Sequence, residues 1–185
     1  MNNVIERIKR ELNLHDLQFT KAPIVIGGMA MEYYGIRKAG SDIDLIICDT
    51  DYQNLAHSNP DKRKDIWGDL GIVLDPFEIW RSIMLFDYDF FAQGAIAHSQ
   101  LFVVSLDRLL FTRVCAKGIK NENARSKYEV DLELIENYYY ENLRNQAFMM
   151  DAKPHYSVYE KNSNGIVWGG NYFCNITTCG GKDAK

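Results

Sequence analysis

The chain has 185 residues, 46% hydrophobic and 25% charged, with a net charge of −4. That length fits one domain with room for a small appendage, and the composition is that of a globular protein able to bury a real core. The small negative charge excludes a global field that recruits nucleic acid, so any RNA binding needs a local basic patch.

The first residues carry Val4, Ile5, Ile8 and Leu12 at helical spacing with charges between them, which predicts an amphipathic helix over 2–14. This start lacks the apolar core of a signal peptide, and no apolar run approaches a membrane span. The expectation is a cytoplasmic protein with no membrane partner.

After Pro23, Ile24-Val25-Ile26 reads as a short buried strand stopped by Gly27-Gly28. Met29 to Tyr34 suits a helix, with Gly35 as its C-terminal stop. Asp42 to Cys48 predicts a second strand, and the run Ile43, Leu45, Ile46, Ile47 places it centrally in a sheet. Asp49 to Lys64 is polar and predicts a loop with part of a helix.

Ile72-Val73-Leu74 begins a third strand running on toward Trp80, at an edge or bulged because Pro76 cannot donate to a ladder. Phe86 to Gly94 and Leu101 to Val104 are expected as a strand pair. Leu106, Leu109, Leu110 and Val114 mark a helix capped by Ser105, and Val130, Leu134, Ile135 and Tyr138 mark another. The predicted class is α/β (α+β), a mixed sheet with helices packed on it. Residues 1–150 form the main domain, and 151–185, where glycines alternate with aromatics, form an appendage.

Of the four cysteines, Cys48 and Cys115 sit in apolar segments and are expected as buried thiols. Cys174 and Cys179 lack a second pair to complete a zinc site and are expected to be free.

The chemistry concentrates between residues 27 and 45. In an extended strand Asp42 and Asp44 project to one side, and a pair of carboxylates there can seat Mg²⁺ (or Mn²⁺) carrying a triphosphate. Gly27 and Gly28, at a strand-to-helix junction, let a backbone approach phosphate closely; they also simply permit a tight turn. A third carboxylate is expected from Asp75, after the cleanest strand, with Glu78 between Phe77 and Ile79 as its rival. Arg37 suits a forked phosphate contact, and Ser41 suits either phosphate or Asp42.

Gly27-Gly28, Gly35-Ile36-Arg37 and Ser41-Asp42-Ile43-Asp44-Leu45 together resemble the signature of the DNA polymerase β-like nucleotidyltransferase superfamily. The double-glycine form with arginine before the triplet is similar to AbiEii-type and MenT-type toxins and to minimal MNT-type proteins. Val104 to Leu110, Arg113, Arg125, Lys127 and the Asp131–Ile135 stretch resemble the helical part of the AbiEii group, in which a basic residue approaches the nucleotide. Arg113 or Thr112 stands where that group carries lysine. The resemblance covers roughly residues 22–140.

It implies transfer of a nucleoside monophosphate from an NTP to an acceptor hydroxyl, in a toxin–antitoxin or abortive-infection setting. Asp42, Asp44 and Asp75 (or Glu78) would be catalytic and metal-binding; Gly27, Gly28, Arg37, Ser41 and Arg113 would hold the nucleotide. The implied acceptor is first a tRNA end, for which Arg113, Lys117, Lys120, Arg125 and Lys127 offer a patch. A partner protein such as a cognate antitoxin or toxin comes second. A small molecule of aminoglycoside type, with Asp87 and Asp89 at hand, comes third. A catalytically inactive relative that binds a nucleotide or partner is the contrasting class.

Overall fold

The computed structural model describes residues 3–66, 68–119 and 122–145. Among them the chain forms six α-helices and one mixed six-stranded sheet, the α+β class expected. Contacts divide the chain into two units, Met1–Glu136 and Asn137–Lys185; of the second, residues 137–145 are described. The boundary expected at residue 150, the appendage 151–185 and the thiols Cys174 and Cys179 lie outside the described residues.

Helix α1 (Asn3–Leu14) buries Val4, Ile5, Ile8 and Leu12, the stripe read from the spacing. Strand β1 (Ile24–Val25) leads directly into α2 (Gly27–Tyr33). The stop of α2 is a Schellman motif: Gly35, at φ +74°, donates to Glu32 O at 2.9 Å and Ile36 to Met31 O at 2.9 Å. Strand β2 (Ile43–Ile46) follows, then α3 (Asp49–Ser58) and a short 3-10 turn at Pro60–Lys62. More of Asp49–Lys64 is helical than its polar composition suggested.

Strands β3 (Gly71–Leu74) and β4 (Phe77–Trp80) form an antiparallel hairpin, which corrects the single strand expected over Ile72–Trp80. Asp75 and Pro76 are its two turn residues, joined by a cis peptide bond, with Leu74 paired to Phe77 across the turn. In a turn Pro76 needs no N–H, and its carbonyl accepts from Ile43 N at 2.9 Å. Strand β4 is consequently an interior strand between β3 and β2.

Helix α4 (Tyr88–Ala92) replaces part of the strand expected over Phe86–Gly94. The Asp87 carboxylate accepts from Phe90 N at 3.3 Å, so a local N-cap outweighs the β preference of the aromatic run. Strands β5 (Ile96–Ala97) and β6 (Phe102–Val103) complete the sheet, and α5 (Leu106–Ile119) and α6 (Glu122–Asn145) follow. Ser105 Oγ accepts from Arg108 N at 3.4 Å, as the N-cap reading requires.

The sheet order is β3-β4-β2-β1-β6-β5. Strand β2 runs parallel to β4 and antiparallel to β1, which in turn runs parallel to β6. Ile24, Val25, Ile43, Leu45, Ile46, Phe77, Ile79 and Val103 are all essentially inaccessible, so the four central strands carry the core. Cys48 is a buried free thiol; Cys115 is free but only half-buried, because it sits on a turn of α5 that is not fully covered.

One buried carboxylate ties this frame together. Asp51, in the first turn of α3, accepts from Thr20 N with both oxygens at 3.0 Å, from Lys21 N at 3.3 Å and from the Cys48 thiol at 3.2 Å. Burial works against its charge, but these donated bonds outweigh it and hold the carboxyl below its ordinary value. A depressed carboxyl stabilises the fold above the unfolded value of about 3.9, and that contribution is lost as pH falls through the folded value. Asp51→Ala is expected to lower the unfolding free energy by about 2–3 kcal/mol at pH 7. In urea melts the gap to the parent chain should shrink below about pH 4; a gap independent of pH would refute the assignment.

Candidate functional site

The site is built on β2 and β4. Their parallel register pairs Asp44 with Glu78, so these two carboxylates lie side by side on adjacent strands and point to one face. Asp42, two residues before Asp44 and exposed, adds its charge to the same neighbourhood. Asp75 stands outside the β2–β4 pairing, in the hairpin turn. Of the two rivals, the register brings Glu78 beside Asp44.

The end of β1 presses on this pair. The Asp44 carbonyl accepts from Ile26 N at 3.0 Å, and the next residue is Gly27, at φ +63°. A Cβ on Gly27 would lie 2.0 Å from Asp44 Oδ2, so only glycine fits against that carboxylate. Gly28 is different: a Cβ there would make ordinary contacts, at 3.7 Å to Ala39 and 3.8 Å to Arg37 Nη1. The first glycine is demanded by the site, whereas the second is compatible with a side chain.

Asp44 keeps a small accessible surface within dense surroundings. Burial, first, and then the charges of Glu78 and Asp42 push its carboxyl above the ordinary value; Arg113 on α5 and Lys127 on α6 pull the other way without cancelling the rise. Asp44 of β2 therefore feels acids from its own segment and β4 and bases from α5 and α6. A cation set against Asp44 relieves both the desolvation and the like-charge repulsion, so the donor chemistry of Asp42 and Asp44 fits a hard divalent ion. Among the described residues no three His, Cys, Asp or Glu side chains already converge as a metal cluster. Glu78 is engaged elsewhere: Lys64 Nζ donates to its Oε1 at 2.8 Å.

Ser41 Oγ donates to Asp42 Oδ1 at 3.0 Å, the orienting alternative of its two expected roles. Beside Ser41 lies a cleft of about 210 Å³, lined by Arg7, Glu11, Gly40, Ile43 and Pro76. A larger hollow of about 470 Å³, lined chiefly by α1, is built from a different set of residues that includes none of these carboxylates.

Arg37 does not present a free fork. Its Nε and Nη2 donate to the two oxygens of Asp131 at 2.6 and 3.1 Å, and its Nη1 to Lys38 O at 2.9 Å. The Arg113 Nε lies 3.1 Å from Asp131 Oδ2 but is not aligned to hydrogen-bond it, and its guanidinium sits 5.5 Å from the Tyr128 ring centre. Asp131 is 1% exposed and clamps two arginines from separate elements. The sequence reading gave it no such role. The available signal was a carboxylate four residues before Ile135, on the face of α6 that turns inward; Val130, taken for that face, is exposed.

Of the expected basic patch, Arg113 pairs with Asp131 and Lys117 with Glu129 at 3.4 Å, while Lys127 acts on Asp44. The side chains of Lys120 and Arg125 lie outside the described residues. Asp87 serves as the cap of α4. No helix among the described residues is long and apolar enough to cross a membrane. Comparison with protein families, with curated proteins and with solved structures finds no match to the chain.

Proposed function

We propose that the chain is a divalent-metal-dependent nucleotidyltransferase that moves a nucleoside monophosphate from an NTP to an acceptor hydroxyl. The observation that carries this reading is the Asp44–Glu78 register beside a glycine that the Asp44 carboxylate leaves no room to replace. A buried, raised carboxyl at Asp44, with acids beside it and Arg113 and Lys127 acting on it from two helices, supports a functional site.

In this reading Asp42 and Asp44 hold Mg²⁺ or Mn²⁺, with Ser41 orienting Asp42. When bound, the ion neutralises charge on the phosphates during in-line displacement. Arg113 and Lys127 meet the triphosphate, while Arg37, engaged by Asp131, fixes the segment before β2. The acceptor oxygen bonds to the α-phosphorus, the bond from that phosphorus to the bridging oxygen breaks, and pyrophosphate leaves. Glu78 receives the hydroxyl proton. Catalysis rests on positioning and charge neutralisation.

An RNA 3′ end is the first acceptor to test, on the strength of the resemblance to toxin enzymes; a protein hydroxyl and an aminoglycoside follow. The chain is incubated with each labelled NTP and Mg²⁺ against bulk tRNA, lysate protein and aminoglycosides in turn. Label on an acceptor is expected, and it should fall by about a thousandfold in Asp42→Asn/Asp44→Asn. Absence of transfer to every acceptor, together with NTP binding unchanged in the double variant, would instead assign the chain to a non-catalytic binding role.

A further inference from the structure

The segment before β3 is strapped to the sheet. Arg63 bridges Ile72, and Lys64 N donates to Gly71 O at 2.7 Å. Packing here is close: a Cβ on Gly71 would lie 2.6 Å from the Trp80 ring and 2.9 Å from the Lys64 carbonyl oxygen. From this fixed backbone the Lys64 side chain passes over the Trp80 ring, 5.5 Å from its centre, and reaches Glu78 at 2.8 Å. Trp80 and Glu78 are two residues apart on β4 and share a face, the one on which Asp44 stands beside Glu78. A cation is thus delivered to the third carboxylate from outside the motif that suggested the function.

Fold stability does not account for it. The Lys64 and Glu78 side chains are 36% and 31% exposed, and ion pairs this open contribute little to folding. What the pair changes is the carboxylate geometry. Glu78 and Asp42 both act on Asp44 electrostatically, yet no three acids among the described residues converge as a metal cluster. An ammonium held on Glu78 also repels a second cation at that point.

We propose that Lys64 is a positioning residue, the resident counter-cation of Glu78, so that the site takes one divalent ion through Asp42 and Asp44 and not two. The proposal rests on the nucleotidyl-transfer reading above. Lys64 keeps Glu78 out of the ligand set and aimed for proton transfer.

The test counts bound Mn²⁺, titrated alone into the 185-residue chain, from the loss of the free-ion electron paramagnetic resonance signal. The parent chain is expected to bind one Mn²⁺, abolished in Asp42→Asn/Asp44→Asn. Lys64→Met should bind two, Lys64→Arg one, and Lys64→Met/Glu78→Gln one again; Lys64→Gln, also expected at two, repeats the test should Lys64→Met misfold by circular dichroism. Two ions on the parent chain, or one on folded Lys64→Met, overturns the role of Lys64 and leaves the metal-binding pair standing. A parent chain that binds no Mn²⁺ overturns the metal-dependent reading itself.

Discussion

Glu78→Gln is expected to lower kcat by about 10²–10⁴, the usual worth of a positioned general base, while Asp75→Asn stays within about threefold of the parent chain. The difference follows from register. Asp44 and Glu78 are Cα partners across two parallel strands, whereas Asp75 occupies a turn position outside that pairing. Glutamine keeps the size of Glu78 and a hydrogen-bond acceptor for Lys64 but cannot take up a proton at neutral pH. NTP affinity should therefore change little while turnover collapses, which steady-state kinetics beside equilibrium nucleotide binding will separate. Full activity in Glu78→Gln with loss in Asp75→Asn would hand the role to the turn residue.

That choice shows where the sequence was legible and where it was not. The spacing Val4, Ile5, Ile8, Leu12 identifies the buried face of α1 because helix periodicity depends on local geometry alone. The Gly35 stop of α2 and the Ser105 cap of α5 are local as well, and both were readable. Pro76 carried the same kind of local information but pointed two ways. A residue without an N–H suits a bulged edge strand and suits a hairpin turn, and only the pairing of Leu74 with Phe77 decides between them. The clean run Ile72-Val73-Leu74 is a strand that ends before Asp75, as read, but the chain then turns back at Asp75-Pro76 instead of running on to Trp80.

The site was legible to the same depth. Gly27, Asp42 and Asp44 fall within a short stretch, and alternation along one strand suffices to relate the two acids. The partner strand of β2 is set by a parallel pairing over more than thirty residues of chain, and no local signal fixes that register. Lys64 and Asp131 were missed for a similar reason. Each meets its partner through tertiary approach, Lys64 from a strap beside the hairpin and Asp131 from α6. Arg37 was read as suited to a phosphate fork from its place before the Asp42–Asp44 doublet, and the carboxylate it meets stands 94 residues later, beyond any local signal.

Asp131→Ala should strongly destabilise the fold around the site. The carboxylate is nearly inaccessible and lies against Arg37 at 2.6 Å and Arg113 at 3.1 Å, so its loss leaves two guanidinium groups without their counter-charge. Removing one partner of a buried ionic cluster costs about 3–5 kcal/mol. The arginine side chains keep 24% and 12% of their surface, and water reaching them trims the expected loss to about 2–4 kcal/mol. Urea unfolding measures it directly. Arg37→Met alone should cost less, and in the Asp131→Ala/Arg37→Met pair the second change should cost less than it does alone, since the carboxylate and one of its cations leave together. Because Arg113 acts on Asp44, the Asp131→Ala chain that remains folded should also show weaker NTP binding. Additivity of the two substitutions within about 0.5 kcal/mol would mean that the clamp stores no coupling energy. Asp131 would then be a buried acid beside two arginines that hold their places without it.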